Sequence, residues 1–246
     1  MISHPPRRLP RPLFAVAAFL VLLLGFTFAP TPADAAEVTL LVRPVQVKHK
    51  GETEWKTLNM GDQVREGDGV RTGSGARVEL SISPRRQFRI GAVTEIEIRG
   101  LDEKKVGMKA KIGLILGRFW GSLRRPLRQG RGEEFNVATA TAVIGIKGTT
   151  FGVDYDKETN VSQVSVVSGQ VGVVPPKPPE EPTEIAGPRE IAPPQEISRD
   201  EWTKIVSADQ KLVIRPGEEP TTAPLTDEDK ADEWIAFNIA RDRENP

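Results

Sequence analysis

Three glycines punctuate TAVIGIKGTTFGVDYD, residues 141 to 156: Gly145, Gly148 and Gly152. A glycine-rich turn can bring backbone N–H groups against a phosphate, but such turns follow G-x-G-x-x-G or G-x-x-x-x-G-K-[ST] and open a helix. Intervals of three and four match neither pattern. The residues that follow, Phe151, Val153 and Tyr155 alternating with Gly152, Asp154 and Asp156, have the two-residue period of a half-buried strand. The same stretch runs into DYDKETN, where Asp154, Asp156, Glu158 and Asn160 occupy alternate positions as in a calcium loop. Such a loop needs glycine at its sixth position and a bidentate glutamate at its twelfth, and Thr159 and Ser165 stand there instead. A hairpin whose turn is Lys157 to Asn160 accounts for the same residues.

Other reaction chemistry lacks parts. The chain has no cysteine and two histidines, and neither G-x-S-x-G nor H-E-x-x-H occurs. His49 lies in KHKGETEW, between lysines and before a glycine, which reads as an exposed turn histidine without a role. Two carboxylates from anywhere in a fold could meet to hydrolyse a glycoside, and nothing points to a pair. No catalytic residue, metal ligand or cofactor is assigned. What remains is GRFWGSLRRPLRQGR, residues 117 to 131, where Arg118, Arg124, Arg125, Arg128 and Arg131 occur without an acid and beside Phe119 and Trp120. Guanidinium groups with aromatic rings suit anionic or carbohydrate ligands. A charge run is also what a solvated loop looks like, and Phe119 with Leu123 would fit a core.

The charge is unevenly spread. From Ala36 to Phe135 there are 20 Lys plus Arg against 13 Asp plus Glu, a net of +7, and from Asn136 onward 11 against 20, a net of −9. The basic half could meet an anionic partner, or an acidic tail could fold back and neutralise it. Ahead of both halves, Arg7, Arg8 and Arg11 precede an uncharged run from Leu13 to Ala29, followed by Pro30, Pro32 and Ala33-Asp34-Ala35. This is the pattern of a secretory signal cleaved after Ala35, with an uncleaved anchor as the alternative. Export makes a periplasmic or secreted protein, and without cysteine its stability must come from burial.

The elements that would position these groups read as strands. Val78, Leu80 and Ile82 alternate with Arg77, Glu79, Ser81 and Ser83; Ile96 and Ile98 with Glu95, Glu97 and Arg99; Ala110, Ile112, Leu114 and Leu116 with Lys109, Lys111, Gly113 and Ile115. Each has one face expected to meet water. Turn residues recur roughly every eight to twelve positions, so the class is all-β, a two-sheet sandwich or a solenoid of stacked short strands over 37–174. Residues 174 to 195 then hold eight prolines in 22 positions and read as an extended acidic linker, taken as 175–197. In the short α/β tail, 198–246, Ser198 to Glu201 and Thr226 to Asp229 read as capping boxes and Lys211 to Arg215 as a strand. Trp234, Ile235, Asn238 and Ile239 would share one helix face. Such a tail is too short for its own core and is expected to pack on the main domain.

The ordered segments resemble the FecR domain, the periplasmic module of the iron-dicitrate regulator family. Gly67, Asp68, Val70, Arg71, Thr72 and Gly73 match its opening motif; Ala76, Arg77, Val78 and Leu80 its second strand. Ala142, Gly145, Gly148, Thr149 and Phe151 match its signature, with Lys147 where Arg is usual and Ala140 where Pro is; Gly169 and Val171 match its closing strand. The resemblance implies that the glycines are structural. The family regulator carries a cytoplasmic anti-sigma segment ahead of its membrane helix and a further C-terminal signalling domain; here 12 residues precede the apolar run.

The function expected is therefore a non-enzymatic binding or scaffolding role in the cell envelope. The alternative is a periplasmic signalling subunit acting through a separate membrane partner, and a carbohydrate-processing enzyme is the third. The partner-binding candidates are Arg118, Trp120, Arg124, Arg125, Arg128 and Arg131. Their partner would be an envelope protein or an anionic envelope polymer, with no nucleic acid and no membrane contact beyond the signal.

Overall fold

The computed structural model describes residues 35–104, 107–123, 134–176 and 203–244. The expected signal ahead of Ala35 lies outside them, as do arginines 124–131, most of the proline-rich segment and the first capping box. Seventeen strands run in chain order: β1 (Ala35–Val42), β2 (Val45–Lys48), β3 (Lys56–Thr57), β4 (Gln63–Arg65), β5 (Gly69–Thr72), β6 (Arg77–Ser83), β7 (Arg86–Ile90), β8 (Glu95–Lys104), β9 (Gly107–Leu123), β10 (Glu134–Ala138), β11 (Val143–Ile146), β12 (Thr150–Asp156), β13 (Val161–Ser168), β14 (Gln170–Val174), β15 (Lys204–Ser207), β16 (Gln210–Ile214) and β17 (Thr221–Pro224). Two helices close the chain, α1 (Asp227–Ala231) and α2 (Glu233–Glu244).

The strands form two layers that share β9. The first runs β4-β1-β6-β7-β9-β12-β13-β16-β17. The second runs β3-β2-β5-β8-β9-β10-β11-β14-β15. The first part of β9 pairs with β8 and, in parallel, with β10; its end from Gly117 onward pairs with β7 and β12. The strand changes layer at Gly117, where φ is +96°. A Cβ there would lie 2.6 Å from the Thr94 Cα, so backbone angle and space both call for glycine. After β9 the chain delivers antiparallel strand pairs to the two layers in turn: β10 and β11 to the second, β12 and β13 to the first, β14 and β15 to the second, β16 and β17 to the first.

Alternation drives this arrangement, because each strand has one apolar row to remove from water. Val78, Leu80 and Ile82 from β6 and Ile96 and Ile98 from β8 enter a single core between the layers. At its centre Phe88 and Phe119 of the first layer, 5.6 Å apart and stacked, meet Phe135 of the second at 6.4 and 6.3 Å. Leu116, expected inward, is only half-buried, because the register slips between Glu95 and Ile96 beside it. The Lys157 to Asn160 turn joins β12 and β13 as the spacing predicts, with Asn160 at φ +55°.

The strands of the tail join both layers. Val173 pairs with Lys204, so the strands on either side of the proline-rich segment, β14 and β15, are neighbours in one layer. β16 and β17 extend the other layer, and Val206, Leu212 and Ile214 join the common core. The Thr226 capping box forms as read, but α1 is only five residues long; it breaks at Asp232, and α2 follows directly.

A charged sheet face beneath the C-terminal helix

The outward side chains of the first layer form a row across the strands. Glu79 of β6 stands opposite Arg89 of β7, Arg89 opposite Trp120 of β9, and Trp120 opposite Gly152 of β12. A Cβ at Gly152 would meet the indole of Trp120 at 3.2 Å, so this glycine leaves room for a ring lying flat on the sheet. One step along, Arg118 stands opposite Asp154. Alternation predicts a solvated face here, yet Glu79 and Arg89 are 1% exposed and Trp120 is fully buried. What covers them is α2.

The cover is polar in detail. The Arg89 Nε donates to Glu79 at 2.6 Å, and its Nη1 donates to Asp242 at 2.7 Å and to Asn238 Oδ1 at 3.3 Å. Asp242 also accepts the Trp120 indole N–H at 2.9 Å. Glu79 accepts from Thr39 at 2.8 Å and from Arg241 at 3.4 Å. Asn238 donates back to the Trp234 carbonyl at 2.7 Å, so its amide has one partner on the helix and one on the sheet. Near the start of α2, Asp232 accepts from Arg118 at 2.8 Å and from the backbone N–H groups of Trp234 and Ile235, capping the helix while pinning it. Arg118 also donates to Asp154 at 2.9 Å, and Arg77 reaches Glu233 at 3.2 Å with its guanidinium 4.5 Å from the Phe237 ring. Apolar burial adds Trp234 and Ile235, with Val167, Phe237 and Ile239 partly covered.

This electrostatic setting shifts the carboxylates in opposite directions. Burial alone would raise Glu79, but the hydrogen bonds from Arg89, Thr39 and Arg241 outweigh it and hold the carboxyl below its ordinary value. At Asp232 burial is likewise outweighed by Arg118 and by the backbone of Ile235 and Trp234, and the result is again a lowering. Asp154 goes the other way: burial pushes it up, Arg118 pulls it back only in part, and the Asp232 charge adds to the rise. Two carboxylates thus share one guanidinium.

The sequence candidates divide. Arg118 and Trp120 are brought together, both turned toward α2 and engaged with its carboxylates. Arg124, Arg125, Arg128 and Arg131 lie outside the described residues. The opening motif is structural throughout. Asp68, buried, accepts from the backbone N–H groups of Arg65 at 2.9 Å and Lys50 at 3.0 Å, tying two loops together. His49, expected to have no role, places its Nδ1 3.2 Å from the same carboxylate. Thr72 binds the Gly91 carbonyl and accepts from the Thr94 N–H, and Gly73 packs against Pro44. Gly67 has φ +92°, Val70 is fully buried, and Arg71 lies 4.3 Å over the Trp55 ring. In the signature, Gly148 has φ +59° and Thr149 Oγ1 donates to the Gln170 carbonyl at 2.9 Å; Phe151 is core, and Gly145 sits mid-strand opposite Gly172. Residues 68–172 match the model of the family described as FecR protein. Over that stretch the chain is similar to FecR proteins.

No curated protein matches the chain. Two crystal structures of a protein from Parabacteroides distasonis ATCC 8503, which bears the provisional description of an anti-sigma factor, share 15% identity with it. Each alignment covers 72% of this chain and 73% of that one, at a TM-score of 0.46. Such a likeness is too distant to carry function. The FecR match ends before β15; β15 to β17 extend the two layers, and α2 covers one outer face. Sequence reasoning missed Glu79, Arg89, Asn238 and Asp242 as one constellation. The available signal was the helical spacing of Trp234, Ile235, Asn238, Arg241 and Asp242, whose counterpart on the sheet is invisible until β6 and β7 are paired.

Proposed function

We propose that the chain is a non-enzymatic binding module that works in regulation at the cell envelope, acting through a partner protein. The observation that carries this reading is the FecR match over residues 68–172. Supporting it, the side chains gathered on the outer face of the first layer are ion pairs and hydrogen-bonded rings, groups that recognise another surface. No helix among the described residues is long and apolar enough to cross a membrane. In this reading a separate membrane partner carries the signal. Export through residues 1–35 and a partner surface at Arg124, Arg125, Arg128 and Arg131 belong to the same proposal.

The test is genetic and biochemical. Deleting the gene in its native host should change transcription of a discrete set of genes, and re-expression should restore it. In the same strain, changing Arg124, Arg125 and Arg128 together to Ala should weaken crosslinking to the membrane partner, and more so at low salt, where exposed charges count for most. An unchanged transcriptome together with an envelope defect would replace regulation with scaffolding. Equal crosslinking by wild type and triple variant would dismiss the arginine surface.

A further inference from the structure

We propose that the outer face of the first layer, across β6, β7, β9 and β12, is a docking face for an amphipathic helix of a partner protein, and that α2 occupies it in cis. The inference rests on the binding-module reading and names the chemistry of its partner. The face is unfinished without a helix. Arg89 turns its Nη1 to Asn238 and Asp242, the Trp120 indole N–H has its acceptor in Asp242, and both Arg89 and Trp120 are buried only because α2 lies over them. A solvent-facing strand row does not need a buried arginine, whereas a recognition row does.

The occupant required is legible from α2. It carries an aromatic and an aliphatic residue together, an amide one turn on, and a carboxylate one further turn on, at Trp234, Ile235, Asn238 and Asp242. These fall on a single helical face, the spacing by which helices are read in grooves. A partner helix with this pattern would present its carboxylate to Arg89 and the Trp120 indole, and its aromatic ring beside Gly91 and Arg118.

Three features make α2 a replaceable occupant. It lies outside the residues that match the FecR family. It joins α1 at one non-helical residue, Asp232 (ψ 133°), while α1 is held separately by the Lys211 to Asp229 and Lys230 to Asp209 ion pairs, so α2 can swing without releasing the strands. It also leaves the buried Trp234 Nε1 without a hydrogen-bond partner among the described residues. A competing helix whose side chain at this position left no donor unpaired would bind the face better than α2 does. Tethering offsets that defect by keeping α2 at a high effective concentration, so cis occupancy is the resting state.

Two measurements on the full chain test this. In wild type, hydrogen exchange should show α2 amides exchanging at least about tenfold faster than those of β7 and β12, which reports undocking without global unfolding. In a chain carrying Trp234→Ala and Asp242→Ala, a fluorescent peptide of residues 226–244 should bind at least about tenfold more tightly than it does to wild type, a difference in RT ln Kd that requires a vacated face. The same peptide with Asp242→Ala should not bind. The proposal is overturned if α2 exchanges only together with the strands, or if the peptide binds both chains equally or neither. It is also overturned if concentrated wild-type chain displaces the peptide by exchanging helices between copies, since the occupant is then a second copy. None of these outcomes bears on transcription in the host, so the regulatory reading and this one fail separately.

Discussion

Glu79 and Arg89 stand at outward strand positions, yet at 1% exposure they are buried as deeply as much of the core. Their pair is stable because every strong donor and acceptor around it is used, by Thr39, Arg241, Asn238 and Asp242. Removing one partner leaves the other buried and charged, which costs about 3–5 kcal/mol. Glu79→Ala should therefore destabilise the chain by that amount in urea melts, whereas Glu97→Ala, which breaks a half-exposed pair with Arg99, should change stability by about 0.5 kcal/mol or less. Equal effects would show that the buried network contributes nothing beyond surface charge. At Gly148 the backbone itself is the constraint. With φ at +59°, Val is strained by about 1–3 kcal/mol while Asn tolerates the left-handed region. Gly148→Val should lower Tm by several degrees and Gly148→Asn by less, and matching melting curves for the two would remove the conformational argument.

The docking of α2 rests on carboxylates, so it depends on pH, and the groups act with two signs. Glu79 and Asp232 are held below their ordinary values, so the stability they contribute is present above the ordinary carboxylate range and is lost as pH falls through their lowered values. Asp154 is raised, so its ionisation opposes the fold above its raised value, and that opposition is relieved as pH falls from there toward 3.8. When Asp154 takes up a proton, Arg118 is left to Asp232 alone. Mild acidification should first raise the protection of the α2 amides, taken relative to the unstructured chain at the same pH, and stronger acid should then release the helix. Asp154→Asn should abolish the first phase and keep the second. A profile unchanged by that substitution would mean that Arg118 does not link the sheet to the helix.

For the whole molecule, both layers extend beyond the FecR match, and the two places to cut the chain differ accordingly. A chain ending at Val174 loses β15 from one layer and β16 and β17 from the other, uncovering Val164, Val166, Val171 and Val173. It should aggregate or lose cooperative unfolding. A chain ending at Ala231 loses only α2, whose Trp234 and Ile235 are worth about 1.5–3 kcal/mol each before the lost ordering entropy is set against them. It should stay folded with a lower midpoint, and failure of both chains to fold would make α2 part of the core. Much of this architecture is legible along the chain. Strand alternation at 78–82 and 96–98, the Lys157 to Asn160 turn, the Thr226 capping box and the FecR motifs are local features, set by side chains two to four positions apart. The two-layer partition, the pairing of β14 with β15 and the buried state of Glu79 and Arg89 are not local. The alternating pattern says only that one face of a strand is apolar; whether the other meets water depends on what the rest of the chain lays over it. Here a helix about 150 residues downstream of Arg89 does so, and only the pairing of β6, β7, β9 and β12 gathers the groups that its carboxylates meet.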